Sequence, residues 1–242
     1  MRKRQVRQDI TQKVAVPITA DGSVIPLPLP EGAGKAMEVL LRWGRPQNPG
    51  TYELGLRLLE GSGVNGTREV TIVSMLVDIR PHADVRGLDP RGVDPQGAAD
   101  TEGTVRCSMD RSNSSSVARF AAGYPFFKDT TFLITNATVP LAAARAPPGT
   151  GDPSDLLIHV VVDHSVIEAF FLDAASRQTG RVYPSPSSTA VSLFARSVPA
   201  HGDSEVAAGL DDEVKVEVSV WALGASFVSE EAVLESWREA GY

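Results

Sequence analysis

The sequence predicts an all-β protein, a two-sheet antiparallel sandwich. Three observations carry that prediction. Apolar residues alternate with polar ones in run after run, as in Val214, Val216, Val218 and Val220 against Glu213, Lys215, Glu217 and Ser219. Side chains on an extended chain point to opposite faces in turn, so this period marks a half-buried strand. Proline, glycine, aspartate and asparagine clusters separate the runs. About ten such runs, spaced by turns, fit two packed antiparallel sheets.

Taken in order, residues 1–34 show little pattern and read as an N-terminal extension or linker. Within them Val24 to Pro30, VIPLPLP, suits only an extended edge or a linker, because proline cannot donate to a central ladder. From Met37 the alternation begins, with Met37, Val39, Leu41 and Trp43 on one parity. Tyr52, Leu54, Leu56 and Leu58 form the next strand. Val70 to Ile79 is apolar on both parities and reads as central. Residues 80–103 are rich in proline, glycine and aspartate and read as a flexible surface insertion. Val105, Cys107 and Met109 resume the alternation, and Asp110 to Ser114 reads as a turn. Phe132 to Leu141 is another strand. Leu156 to Asp163 and Val166 to Leu172 form a hairpin about Asp163-His164-Ser165. Strands follow at Arg181 to Pro184, Val191 to Ala195 and from Glu213. Residues 226–242 change period, and Ser229, Glu230 and Glu231 ahead of Val233, Leu234 and Trp237 read as a short C-terminal helix.

Bulk properties narrow the function. The 242 residues carry 30 acidic against 23 basic side chains, a net charge of −7, which disfavours nucleic acid and anionic membranes as partners. No run approaches the roughly 20 apolar residues that span a bilayer. Cys107 is the only cysteine, which excludes intrachain disulfides and cysteine-cluster zinc sites. On a strand face with Val105 and Met109 it reads as a buried apolar thiol. Asn65, Asn113 and Asn136 head glycosylation triplets, a hint of a secreted parent.

Several strings together resemble a known family. VDHSVIEAFF holds Asp163, His164, Ser165, Glu168 and Phe170. GRVYPSP holds Arg181, Tyr183 and Pro184, and SMDRSNSS holds Asp110, Arg111 and Ser112. In the chain SMDRSNSS comes first, then VDHSVIEAFF, GRVYPSP and AVSLFA at Ala190 to Ala195, and in that order they resemble the C-terminal β-sandwich of glycoside hydrolase family 32, which contains invertases, inulinases and levanases. The resemblance implies a concanavalin/lectin-like jelly roll over residues 35–225. It implies a parent that hydrolyses terminal β-D-fructofuranosides such as sucrose or fructans, often secreted or vacuolar. It also implies a catalytic five-bladed propeller, in the same or a companion chain, as partner. The family keeps its nucleophile, transition-state stabiliser and acid/base in that propeller. The motifs are a Trp-Met-Asn-Asp-Pro-Asn-Gly type segment, an Arg-Asp-Pro and a Glu-Cys, and none occurs in these residues. No catalytic residue, metal or cofactor is therefore expected, and the chain alone is not expected to be active.

The residues that tempt a chemical reading have plainer ones. Asp163 and Glu168 lie on opposite arms of the hairpin, where a glycosidase pair would have to flank a scissile bond. The structural reading prevails over catalysis, because hairpin turns commonly use Asp and Ser to satisfy backbone donors. Asp163, His164 and Ser165 are consecutive, so their side chains should diverge rather than converge as a relay. His82, His159 and His201 are scattered without metal-ligand spacing. Trp43, Tyr52, Tyr183 and Trp221 could stack sugars if exposed, which would suit the alternative of a stand-alone carbohydrate-binding module. Alternating strands more often turn such residues inward.

Overall fold

A computed structural model describes residues 9–31, 33, 36–46, 48–63, 66–80, 103–115, 134–141, 155–199 and 213–223. The expected C-terminal helix lies outside them, as do Asn65 and most of the 80–103 insertion.

The described residues form two six-stranded antiparallel sheets packed face to face. The first sheet contains β1 (Asp9–Pro17), β3 (Ala36–Trp43), β8 (Leu156–Asp163), β9 (Val166–Phe171), β10 (Ser176–Arg181) and β12 (Glu213–Ala222), in the order β1-β12-β3-β8-β9-β10. The second contains β2 (Ser23–Pro26), β4 (Gly50–Ser62), β5 (Arg68–Ile79), β6 (Gly103–Asn113), β7 (Ile134–Pro140) and β11 (Ala190–Ser197), in the order β2-β11-β4-β5-β6-β7.

The alternation sets which face is buried. Met37, Val39, Leu41 and Trp43 of β3 are wholly buried, as are Ile158, Val160 and Val162 of β8. Leu54, Leu56, Val73, Met75, Val77, Val105, Cys107 and Met109 meet them from the second sheet in one continuous core. β5 lies between β4 and β6, and β8 between β3 and β9, so both doubly apolar runs are interior strands. Gly55 sits where β4 presses closest on β5. A Cβ there would stand 2.4 Å from the Val73 carbonyl oxygen and 2.8 Å from Ser74 Cα.

Three expectations change and one holds. Residues 1–34 are not simply a linker: β1 pairs with β12 along nine residue pairs from Asp9↔Trp221 to Pro17↔Glu213. β2 is the edge of the second sheet, where the prolines of VIPLPLP are tolerated. Asp110 to Asn113 is not a turn but the end of β6. Ile72 pairs with Asp110 and Val70 with Asn113, so Arg111 and Ser112 together oppose Thr71 in a bulge. Asp110 still acts as turn chemistry suggests, its Oδ1 accepting the Ser112 N–H at 2.8 Å. Finally, the strand expected at Arg181 to Pro184 is β10, which begins earlier at Ser176 and ends at Arg181.

Candidate functional site

The three signature strings, far apart in sequence, come together at one end of the sandwich. β8 and β9 join through a two-residue turn, His164-Ser165, with Asp163 paired to Val166. His164 adopts φ 52°, a left-handed conformation that histidine enters more readily than most residues. This brings its Nδ1 to 2.7 Å from Asp163 Oδ1. The expected divergence of neighbouring side chains is therefore wrong for this pair, because the left-handed turn folds the ring back. The Ser165 carbonyl instead accepts the Val182 N–H at 2.9 Å, tying the turn to the GRVYPSP string.

Arg111 joins that string to the other sheet. Its bulged position on β6 turns it inward across the sandwich, and Nη1 donates to the Arg181 carbonyl at 2.9 Å. The guanidinium lies over Gly180. A Cβ at that residue would stand 2.6 Å from Arg111 Cδ and 2.7 Å from Nε. The glycine before Arg181 thus makes room for the arginine of Asp110-Arg111-Ser112. Gln178, two residues earlier, bridges the same gap, donating to the Cys107 carbonyl at 2.9 Å and accepting from Thr135 Oγ1 at 2.7 Å.

Glu69 completes this end, and the sequence reading missed it. It is fully buried at the start of β5. It accepts the Ser185 N–H at 2.7 Å, the Ser185 hydroxyl at 3.1 Å and the Ser188 hydroxyl at 2.6 Å. The carboxylate thereby holds the chain that leaves Tyr183 and Pro184. Its parity was a signal: Glu69, Thr71, Val73, Met75, Val77 and Ile79 all point inward from β5. Thr71, wholly buried beside it, has no hydrogen-bond partner for its hydroxyl among the described residues.

Asp163 and Glu168 are each held by a neighbouring basic side chain. Glu168 faces outward from β9 opposite Val161, and Arg177 Nη2 holds it at 2.6 Å. Asp163 is bound to His164, and its side chain is 45% exposed against 32% for Glu168. Their diagonal cross-strand placement sets Cα atoms roughly 7–8 Å apart on an open sheet face. Phe170 is flanked by His159, ring centroids 5.6 Å apart, and by Arg177, 5.3 Å from the ring centre. Of the four aromatic candidates, Trp43 and Tyr52 are core residues, Tyr183 is 39% exposed, and Trp221 is half-buried on β12. Arg181, Tyr183 and Pro186 are the exposed members of their string. Burial pushes the Cys107 thiol up to about 12, with a hydrogen bond to Ser176 opposing it only in part, so it is no nucleophile. Among the described residues no cluster of three or more histidine, cysteine or acidic side chains could hold a metal ion.

This is a β-sandwich whose polar end is built for internal cohesion. Its sequence matches the model of glycosyl hydrolases family 32 C terminal over residues 2–221, and the chain belongs to that family. No curated relative matches it. Among solved structures it is similar to fructan 1-exohydrolase IIa from Cichorium intybus, at 14% identity and a TM-score of 0.52, covering 90% of this chain and 36% of that one. It is also similar to a fructosyltransferase from A. japonicus, at 15% identity and a TM-score of 0.51, covering 93% and 28%. These likenesses establish the shared sandwich fold. The chain spans about a third of the length of the structures it matches.

Proposed function

We propose that this chain is the accessory sandwich of a β-fructofuranosidase-type glycoside hydrolase and acts by packing against a catalytic five-bladed propeller. The observation that carries the reading is the family match across residues 2–221 in a fold without a convergent acid pair among its described residues. The parent hydrolyses terminal β-D-fructofuranosides, and this domain supports the propeller rather than the bond cleavage. Asp110, Arg111, Ser112, Asp163, His164, Ser165, Glu168, Phe170, Arg181, Tyr183 and Pro184 serve architecture in this reading.

The outer face of the first sheet supports such a packing role. Leu40, Leu157, Val161, Phe170 and Trp221 lie there half-buried, with the Arg177 guanidinium 5.3 Å from the Phe170 ring centre. Charges among them are already paired, Glu38 with His159 at 3.0 Å and Glu168 with Arg177. A face with internally paired charges loses less on desolvation by a partner. β1 begins beside this patch, at Asp9↔Trp221.

The test is to mix the purified chain with a separately produced family 32 propeller from the same genome. Co-elution and a raised propeller melting temperature are expected. Saturable binding of sucrose or inulin, lost on changing Tyr183 or Trp221 and without propeller binding, would instead identify a stand-alone carbohydrate module.

A further inference from the structure

The asparagine triplets are the one sequence motif that the accessory role leaves unused, and the fold separates them. Asn113 ends β6, and the serine that completes its triplet, Ser115, is buried and already bonded. Asn136 stands in the middle of β7. Its side chain is exposed, as is that of Thr138, and Asn136 makes no hydrogen bond through its side chain to any described residue. On an extended strand, residues two apart share a face, so amide and hydroxyl project together from the outer face of the second sheet. Among the described residues β7 pairs with β6 alone and ends the sheet order.

That edge is a hazard. Alternate backbone N–H and C=O groups of an edge strand are open to pairing with another chain. Ile134, on the same face two residues before Asn136, is 54% exposed. No charged side chain lies in ITNATVP, and Pro140 guards only one end.

We propose that Asn136 is an N-glycosylation site, and that its glycan shields the β7 edge from self-association. In the transfer, the Asn136 amide nitrogen attacks the anomeric carbon of an oligosaccharide carried on a lipid pyrophosphate. The C–N bond forms and the anomeric C–O bond breaks. The lipid pyrophosphate leaves with the electron pair, and the amide gives up one proton. This inference does not depend on a propeller partner.

The experiment secretes the full chain from insect cells behind a cleavable leader. Peptide-N-glycosidase treatment in heavy-oxygen water then marks each formerly glycosylated asparagine as labelled aspartate, read by peptide mass spectrometry. Label at position 136 is expected, and Thr138→Ala should abolish it while Asn136 remains. Asn136→Gln and Thr138→Ala should both self-associate at concentrations where the glycosylated chain sediments as a monomer. Absence of label at 136 would overturn the site. Two variants as monomeric as the glycosylated chain would overturn the shielding role.

Discussion

Replacing Glu69 tests whether the signature end is held together by a buried carboxylate. Glu69→Ala leaves the Ser185 N–H and the Ser188 hydroxyl without the acceptor that now stands 2.7 and 2.6 Å away. Each such buried, unsatisfied donor costs about 1–3 kcal/mol. Removing the carboxylate also removes the desolvation that its own burial required, which offsets part of that loss. The balance is a destabilisation of about 3 kcal/mol, from two such donors less that offset. In a chain of this size 1 kcal/mol moves the melting temperature by about 2–4 °C, so Tm should fall by about 6–12 °C. Glu69→Gln keeps the volume and one acceptor oxygen but turns an amide N–H towards a donor, and should lose about half as much. Circular dichroism melts read the loss. Amide hydrogen exchange should localise it, with protection falling first at Val182 and Ser188, whose N–H groups are bonded in this segment. An alanine variant melting within about 1 °C of the parent would refute the reasoning, since that is the range of an uninvolved surface substitution.

Three further perturbations test neighbouring features. Gly55→Ala should destabilise by about 2–3 kcal/mol in a denaturant titration, because its Cβ meets backbone atoms of Val73 and Ser74 that cannot move without parting β4 from β5. Thr71→Val should be neutral or raise stability by up to about 1 kcal/mol, since it removes a buried hydroxyl with no partner among the described residues and keeps the shape. Cys107 should resist maleimide in the native state and react only on unfolding. Its thiol is held at about 12 when folded, against 9.0 when free, so its contribution is intact below pH 9 and is lost as pH rises from there towards 12. Between pH 8 and 10 the fall should be about 1 kcal/mol, and Cys107→Ala should flatten that slope in urea titrations.

Much of the sandwich was legible because its interior strands obey period two. β3 and β12 are buried on the parity that their sequences show, and β5 and β8 are interior as their doubly apolar runs suggest. The edges were harder to read. β10, SRQTGR, has no large apolar residue, and its inward positions are Ser176, Gln178 and Gly180. They bury because Gln178 and Arg111 satisfy the facing backbone, a contact between residues 71 positions apart for Gln178 and Cys107 that local pattern cannot show. β1 escaped notice because its exposed parity mixes Thr11, Lys13 and Ala15 while its register is set by β12, over two hundred residues later. At Asp110 to Asn113 turn chemistry was read correctly for the side chain and wrongly for the backbone, since a bulge uses the same bond. The convergence of the signature strings needed the fold, although the order of the motifs had already pointed to it.

The most direct measurement is fructose release from sucrose and inulin by the purified chain. Bond cleavage is proposed to lie with a propeller and not with this sandwich, so the rate should equal that of buffer. Fructose formed at a steady rate, and abolished in Glu168→Gln or Asp163→Asn, would show that the open sheet face carries the reaction after all.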